Sequence, residues 1–228
     1  MWLHDFLNLF FPNLCQACGN PLVKQENVIC INCRFKLPAT NFHYFEDNPI
    51  SRIFWGRVNL TSATSFLFFN KGGIVQRLIH NFKYKGNKDI GYYFGELIAK
   101  DLVKSPLFSD INVVVPVPLH IKKVKTRGFN QSEVISVGIS RALNITTNTT
   151  ALIRSEFTET QTKKARYTRW ENVRGKFCLN EPNKLEGMHI LLVDDVLTTG
   201  ATLEACAEVL LEIQNVKVSL VTLAYAQA

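Results

Sequence analysis

The chain has 228 residues, 46% of them apolar, a formal charge of +7 and six cysteines. That length and apolar content support a buried core of one main domain with an appendage. The composition is that of an ordinary globular protein, and no run reaches the roughly 20 apolar residues that cross a bilayer. The charge is uneven: between Val113 and Lys176 there are 12 Lys or Arg against 4 Glu and no Asp. The middle of the chain therefore suits an anionic partner, a polyphosphorylated small molecule or a nucleic-acid backbone.

In chain order, residues 2–11 predict a short amphipathic helix anchored on the protein body. They lack the basic start of a secretory signal, contain Asp5 and stop at Pro12, so a cytoplasmic protein without membrane insertion is expected. Next come two CxxC pairs, Cys15 with Cys18 and Cys30 with Cys33. A CxxC turn sets two thiolates on one side of a tight loop, and two such knuckles close a tetrahedral site. Four sulfur ligands leave no open position for a substrate water, so a structural Zn2+ is expected, rather than disulfides or a catalytic metal. Cys178 and Cys206 stand apart and read as buried small hydrophobes.

Residues 41–70 are aromatic-rich and give no clear element apart from an extended stretch over 60–69. Helices are predicted over 74–82 and 92–103, then a β-branched strand over 112–117 and a helix over 132–143. The polar, charged stretch 156–176 lacks periodicity and reads as a long loop. A strand over 189–193, a helix over 201–213 and a strand over 216–224 complete the chain. Alternating strands and helices argue for an α/β fold with a parallel sheet flanked by helices on both faces. The domain division expected is 1–40 for the N-terminal helix and the four-cysteine zinc module and 41–228 for the main domain.

Residues 189–203, HILLVDDVLTTGATL, carry the clearest chemistry. They read as a buried strand, two carboxylates at its C-terminal end, a small-residue loop and a helix. Ligands of open α/β sheets bind at that end of the strands. Thr198, Thr199, Gly200, Ala201 and Thr202 offer hydroxyls and close backbone approach at a helix start, where N–H groups and the dipole favour a phosphate. Asp194 and Asp195 are acceptors suited to two adjacent hydroxyls of a sugar.

Taken together these residues resemble the signature of type I phosphoribosyltransferases, which bind phosphoribosyl diphosphate. Adding the cysteine pairs, KYKG at 83–86, VPVPL at 115–119, RGFNQS at 127–132 and the series Gln161, Arg169, Asn172 and Phe177, the chain resembles the ComF family over nearly its whole length. These are competence-associated proteins with an amidophosphoribosyltransferase-like domain. The resemblance implies a type I phosphoribosyltransferase-like fold with a small zinc-ribbon-like module. It implies that Asp194 and Asp195 bind the ribose hydroxyls and that residues 198–202 bind the 5′-phosphate. It sets the diphosphate-binding loop at Leu119, His120, Lys122 and Arg127, with Lys123 and Lys125 beside them; by its own chemistry Ser132 is suited to cap the helix that follows. Residues 156–176 take the place of a closing loop, with Arg169 the cation chosen for the leaving diphosphate and Mg2+ arriving with the ligand.

The function expected is a phosphoribosyltransferase, of the glycosyltransferase class, with an acceptor that the sequence does not encode, linked to DNA uptake or use. Two readings of other classes stand beside it. One is a protein that handles single-stranded DNA without transfer, and the other is a sensor of the nucleotide precursor.

Overall fold

The computed structural model of the protein describes residues 12–154 and 176–227. The expected helix over 2–11 lies outside those residues, as does almost all of the expected loop over 156–176.

Among the described residues there are seven strands: β1 Ser62–Phe68, β2 Val113–Pro116, β3 Thr146–Thr147, β4 Leu152–Arg154, β5 Phe177–Leu179, β6 His189–Leu197 and β7 Lys217–Tyr225. The helices are α1 Ile31–Phe35, α2 Pro49–Phe54, α3 Ile74–Tyr84, α4 Asp89–Leu102, α5 Ile121–Arg127, α6 Gln131–Leu143 and α7 Ala201–Leu210. Five strands form one sheet in the order β1, β7, β6, β2, β3, and every neighbouring pair in it is parallel. β4 and β5 form a separate antiparallel pair. The parallel sheet flanked by helices is the α/β architecture expected.

Strand periodicity divides the apolar side chains between two cores. Val114, Leu191, Val193 and Val221 pack with α3, α4 and α6 on one face, through Phe82, Phe94 and Ile135. Val113, Val115, Ile190 and Leu192 pack on the other with α2 and α7, through Ile50, Phe54 and Leu210. Both faces being covered explains why β2 and β6 read as continuous apolar runs. On the first face α4 and α6 touch backbone to backbone. A Cβ at Gly95 would collide with the carbonyl of Ile135, and one at Gly138 with that of Tyr92.

The cysteine module joins the first core: Ala17, Val28 and Ile29 are buried in the same cluster as Ile79 and Phe82. The Asn81 side-chain amide donates to the Gln16 carbonyl at 2.8 Å, tying the first CxxC turn to the last turn of α3. Residues 38–40 then run beside β1, with Thr40 N–H donating to Phe66 O and Phe68 N–H donating to Pro38 O.

The winding of the sheet locates the crevice. β2 leads through α6 to β3 at one edge, whereas β6 leads through α7 to β7 in the opposite direction. The reversal lies between β2 and β6, and ligands of open α/β sheets bind at the carboxyl ends of strands beside such a switch point.

Several elements depart from the sequence expectations. The strand expected over 189–193 continues to Leu197 because Val196 and Leu197 pair with Ala224 and Tyr225 of β7, so the acidic pair lies within β6. Residues 120–125, expected as a loop, belong to α5 and its cap. Cys178, expected buried, is exposed on β5, because alternation turns its neighbours Phe177 and Leu179 inward. Cys206 is buried as expected.

Candidate functional site: an acidic pair facing an open helix start

The carboxyl end of β6 brings Asp194 and Asp195 to the switch point, and each is held by a different helix. Asp194 Oδ1 accepts from the Ser132 hydroxyl of α6 and from the Asp195 backbone N–H, both at 2.8 Å. Asp195 Oδ2 meets the Lys83 ammonium of α3 at 2.6 Å, with the two side chains 13% and 17% exposed. Asp194 Oδ2 and Asp195 Oδ1 have no partner among the described residues. Burial pushes the Asp194 carboxyl up to about 7, with the adjacent charge of Asp195 adding to it and the bonds from Ser132 and Asp195 opposing it. Near neutral pH Asp194 is poised between donor and acceptor, which is the state a hydroxyl ligand can read.

Immediately beyond, Thr198 and Thr199 are exposed and Gly200 is buried at φ +81°. Gly200 is needed twice. Its backbone lies in the left-handed region, and an added Cβ would sit 2.9 Å from Ile53 Cγ2 and 3.2 Å from the Phe54 ring. It opens α7 without any side-chain capping bond. The first N–H groups of α7 are thus left for an outside acceptor, and the dipole favours an anion there. Ala201 is half-buried and Thr202 exposed beside this opening. In the same turn Glu204 is buried and ion-paired with Arg57, which offsets a negative charge close to the anion position.

The segment after β2 borders the crevice from the other side. Leu119 and His120 are half-buried, and His120 Nδ1 caps α5 by accepting from Lys122 N–H at 3.1 Å. Lys122, Lys123 and Lys125 are exposed on α5. Arg127 donates to Gln131 Oε1 at 2.9 Å and lies over the Tyr84 ring at 5.8 Å. Asn130, not Ser132, caps α6: its side chain accepts from Ser132 N–H, while its amide donates to Val117 O at 3.0 Å. That frees the Ser132 hydroxyl for Asp194. Arg169, chosen for the diphosphate, lies outside the described residues, as do Gln161 and Asn172.

Sequence reasoning gave no role to Lys83, although it noted KYKG. The signal available was an exposed-looking lysine directly after the buried Phe82, but its partner lies far along the chain. His189, at the opposite end of β6, is 5% exposed and paired with Ser219 Oγ at 2.8 Å, which is structural.

The second site is the cysteine cluster. The Sγ atoms of Cys15, Cys18, Cys30 and Cys33 all lie within 4.8 Å of one another. A tetrahedral ion about 2.3 Å from each sulfur needs sulfurs about 3.8 Å apart, and Cys18 and Cys30 are at 3.8 Å. The Cys30 N–H donates to Cys15 Sγ at 3.3 Å, and Gly19 turns the first knuckle at φ +80°. Burial pushes the Cys15 thiol up, but backbone hydrogen bonds from Cys18, Cys30 and Ala17 outweigh it and bring it down to about 6. The donor set fits one tetrahedral metal with no open position.

With this geometry in view, the chain matches the Phosphoribosyl transferase domain model over residues 91–228. It is 27% identical over 225 residues to the DNA utilization protein YhgH of Escherichia coli K12, covering 89% of this chain and 92% of the relative. It is 28% identical over 206 residues to the competence protein ComFC of Bacillus subtilis, covering 84% and 81%. Among solved structures, the glutamine phosphoribosylpyrophosphate amidotransferase of B. subtilis is 19% identical with a TM-score of 0.41, over 62% of this chain but 30% of that longer one. Among the described residues no helix is long and apolar enough to cross a membrane. The chain belongs to the phosphoribosyl transferase domain family, on the ComF branch formed by competence and DNA-utilization proteins.

Proposed function

We propose that the chain binds phosphoribosyl diphosphate at the carboxyl end of β6 and transfers its phosphoribosyl group to an acceptor. The observation that carries this reading is the acidic pair standing directly before an uncapped helix start, at the switch point of the sheet. In it, the N–H groups of α7 with Thr198, Thr199 and Thr202 hold the 5′-phosphate, and the free oxygens of Asp194 and Asp195 accept from the ribose diol. The diphosphate is assigned to the side of the crevice bearing Leu119, His120, Lys122 and Arg127, together with Arg169. Magnesium accompanies the diphosphate and neutralises part of its charge. Transfer breaks the C1–oxygen bond to diphosphate and forms a bond from C1 to the acceptor, helped chiefly by positioning and charge stabilisation. An acceptor bringing its own nucleophile suits a site in which no His and carboxylate base pair faces the crevice among the described residues.

We assign the cysteine cluster to a structural zinc ion, with residues 1–40 as a module stapled by it and 41–228 as the catalytic body. Calorimetric titration of phosphoribosyl diphosphate with magnesium tests the binding. The expected result is heat well above that of ribose 5-phosphate, lost in Asp194→Asn with Asp195→Asn. Equal heats for the two ligands contradict the reading.

A second reading, single-stranded DNA handling without transfer, is favoured by the exposed lysines of α5 and by the names of the relatives. It predicts that neutralising Lys122, Lys123 and Lys125 abolishes DNA retention while the Asp194 and Asp195 variants retain it.

A further inference from the structure

We infer that Lys83 is a positioning residue of the ribose site, holding the Asp195 carboxylate so that its other oxygen faces the sugar diol. The inference rests on the ribose reading of the acidic pair. Two carboxylates on adjacent residues in a poorly solvated crevice repel, so each needs a partner of its own to stay in place. Asp194 is relieved by the Ser132 hydroxyl and a backbone N–H. Asp195 has Lys83.

Several observations separate this pair from an ordinary surface contact. Both side chains are largely withdrawn from water, so the attraction is weakly screened. The lysine has little freedom at its base, because Phe82 beside it is fully buried in the core and Asn81 is bonded to the Gln16 carbonyl of the cysteine module. The ammonium meets Oδ2 of Asp195 at 2.6 Å, and among the described residues no hydrogen bond reaches Oδ1, which leaves it to a hydroxyl. Lys83 thus fixes which oxygen of Asp195 faces the ligand.

The test uses two ligands that differ only in the diol: 1,4-anhydroribitol 5-phosphate, and tetrahydrofurfuryl phosphate, which keeps the ring and the phosphate. Their affinities are measured by calorimetry on the full metal-loaded chain, for the wild type, Lys83→Met and Lys83→Arg, with a thermal melt of each. The wild type is expected to prefer the diol by about tenfold or more, since buried acceptors are left unpaired by the other ligand. Lys83→Met brings that preference to about twofold and Lys83→Arg retains most of it, because the charge is what matters. A wild-type preference in Lys83→Met overturns the role of Lys83 and leaves the ribose reading standing. A wild type that ignores the diol overturns both. Should Lys83→Met not fold, the same ratio is read in Lys83→Gln, and a collapsed melt in both variants makes Lys83 structural and overturns the inference.

Discussion

The cysteine cluster and the end of β6 gather polar groups by opposite rules. In the cluster four sulfurs converge to within 4.8 Å of one another, three of the cysteines are buried, and the donor set surrounds one tetrahedral position. At the end of β6 the polar groups are held apart by separate elements: Lys83 on α3, Ser132 on α6, and the first turn of α7. Among the described residues, two carboxylate oxygens and the helix start are left unanswered. A closed set satisfies its own members; an open set is one that a ligand can complete. The difference teaches that the cluster matters to the site only through what it supports, which is the last turn of α3.

Removing the zinc ion assigned to the cluster should break that comparison most severely. Zinc binding in isolated fingers contributes about 10 kcal/mol or more, and residues 12–36 have little core of their own. Chelation, or Cys30→Ser, is expected to lower the thermal midpoint by well over ten degrees, read by calorimetry against the untreated chain. An unchanged midpoint makes the cluster irrelevant to stability.

Gly200→Ala acts on the open side of the comparison. The left-handed backbone and the contact with Ile53 and Phe54 should cost about 2 kcal/mol in chemical denaturation, together with about tenfold in affinity for phosphorylated ligands as α7 is displaced.

A pH titration sharpens the comparison further. The Asp194 carboxyl is raised from 3.8 to about 7 in the folded protein, so the folded state binds more protons than the unfolded between those values. Stability from this group is therefore full below about pH 4 and falls as pH rises through 7. After discount for solvent access the slope should amount to about 1–2 kcal/mol. Asp194→Asn should flatten it in urea melts taken across that range. Binding of the diol should move the other way, strengthening as pH rises and Asp194 becomes an acceptor.

The smallest effect is expected from Asn130→Ala. Loss of the cap and of the bond to Val117 should cost about 1 kcal/mol, with weaker ligand binding because Ser132 no longer meets Asp194 squarely.

Much of this was readable from residue patterns. β6, β7, α4 and α7 are long enough for periodicity to show, and both CxxC pairs state their chemistry in their spacing. β3, β4 and β5 are two or three residues long and fall below any periodic window. α5 has no buried residue to leave an apolar stripe, so IKKVKTR read as a basic loop. The cap of α6 was misplaced because Asn130 and Ser132 are both good capping residues two positions apart. Lys83 was invisible as a site residue because its meaning is supplied by Asp195, which only the packing of α3 against the end of β6 brings near.

The most direct measurement is a crystal structure of the chain with phosphoribosyl diphosphate and magnesium. The account predicts the 5′-phosphate on the N–H groups that open α7, with the ribose diol on Asp194 and Asp195 and Lys83 still at Asp195. Ligand bound elsewhere at saturating concentration, or a sugar turned away from the acidic pair, would contradict it.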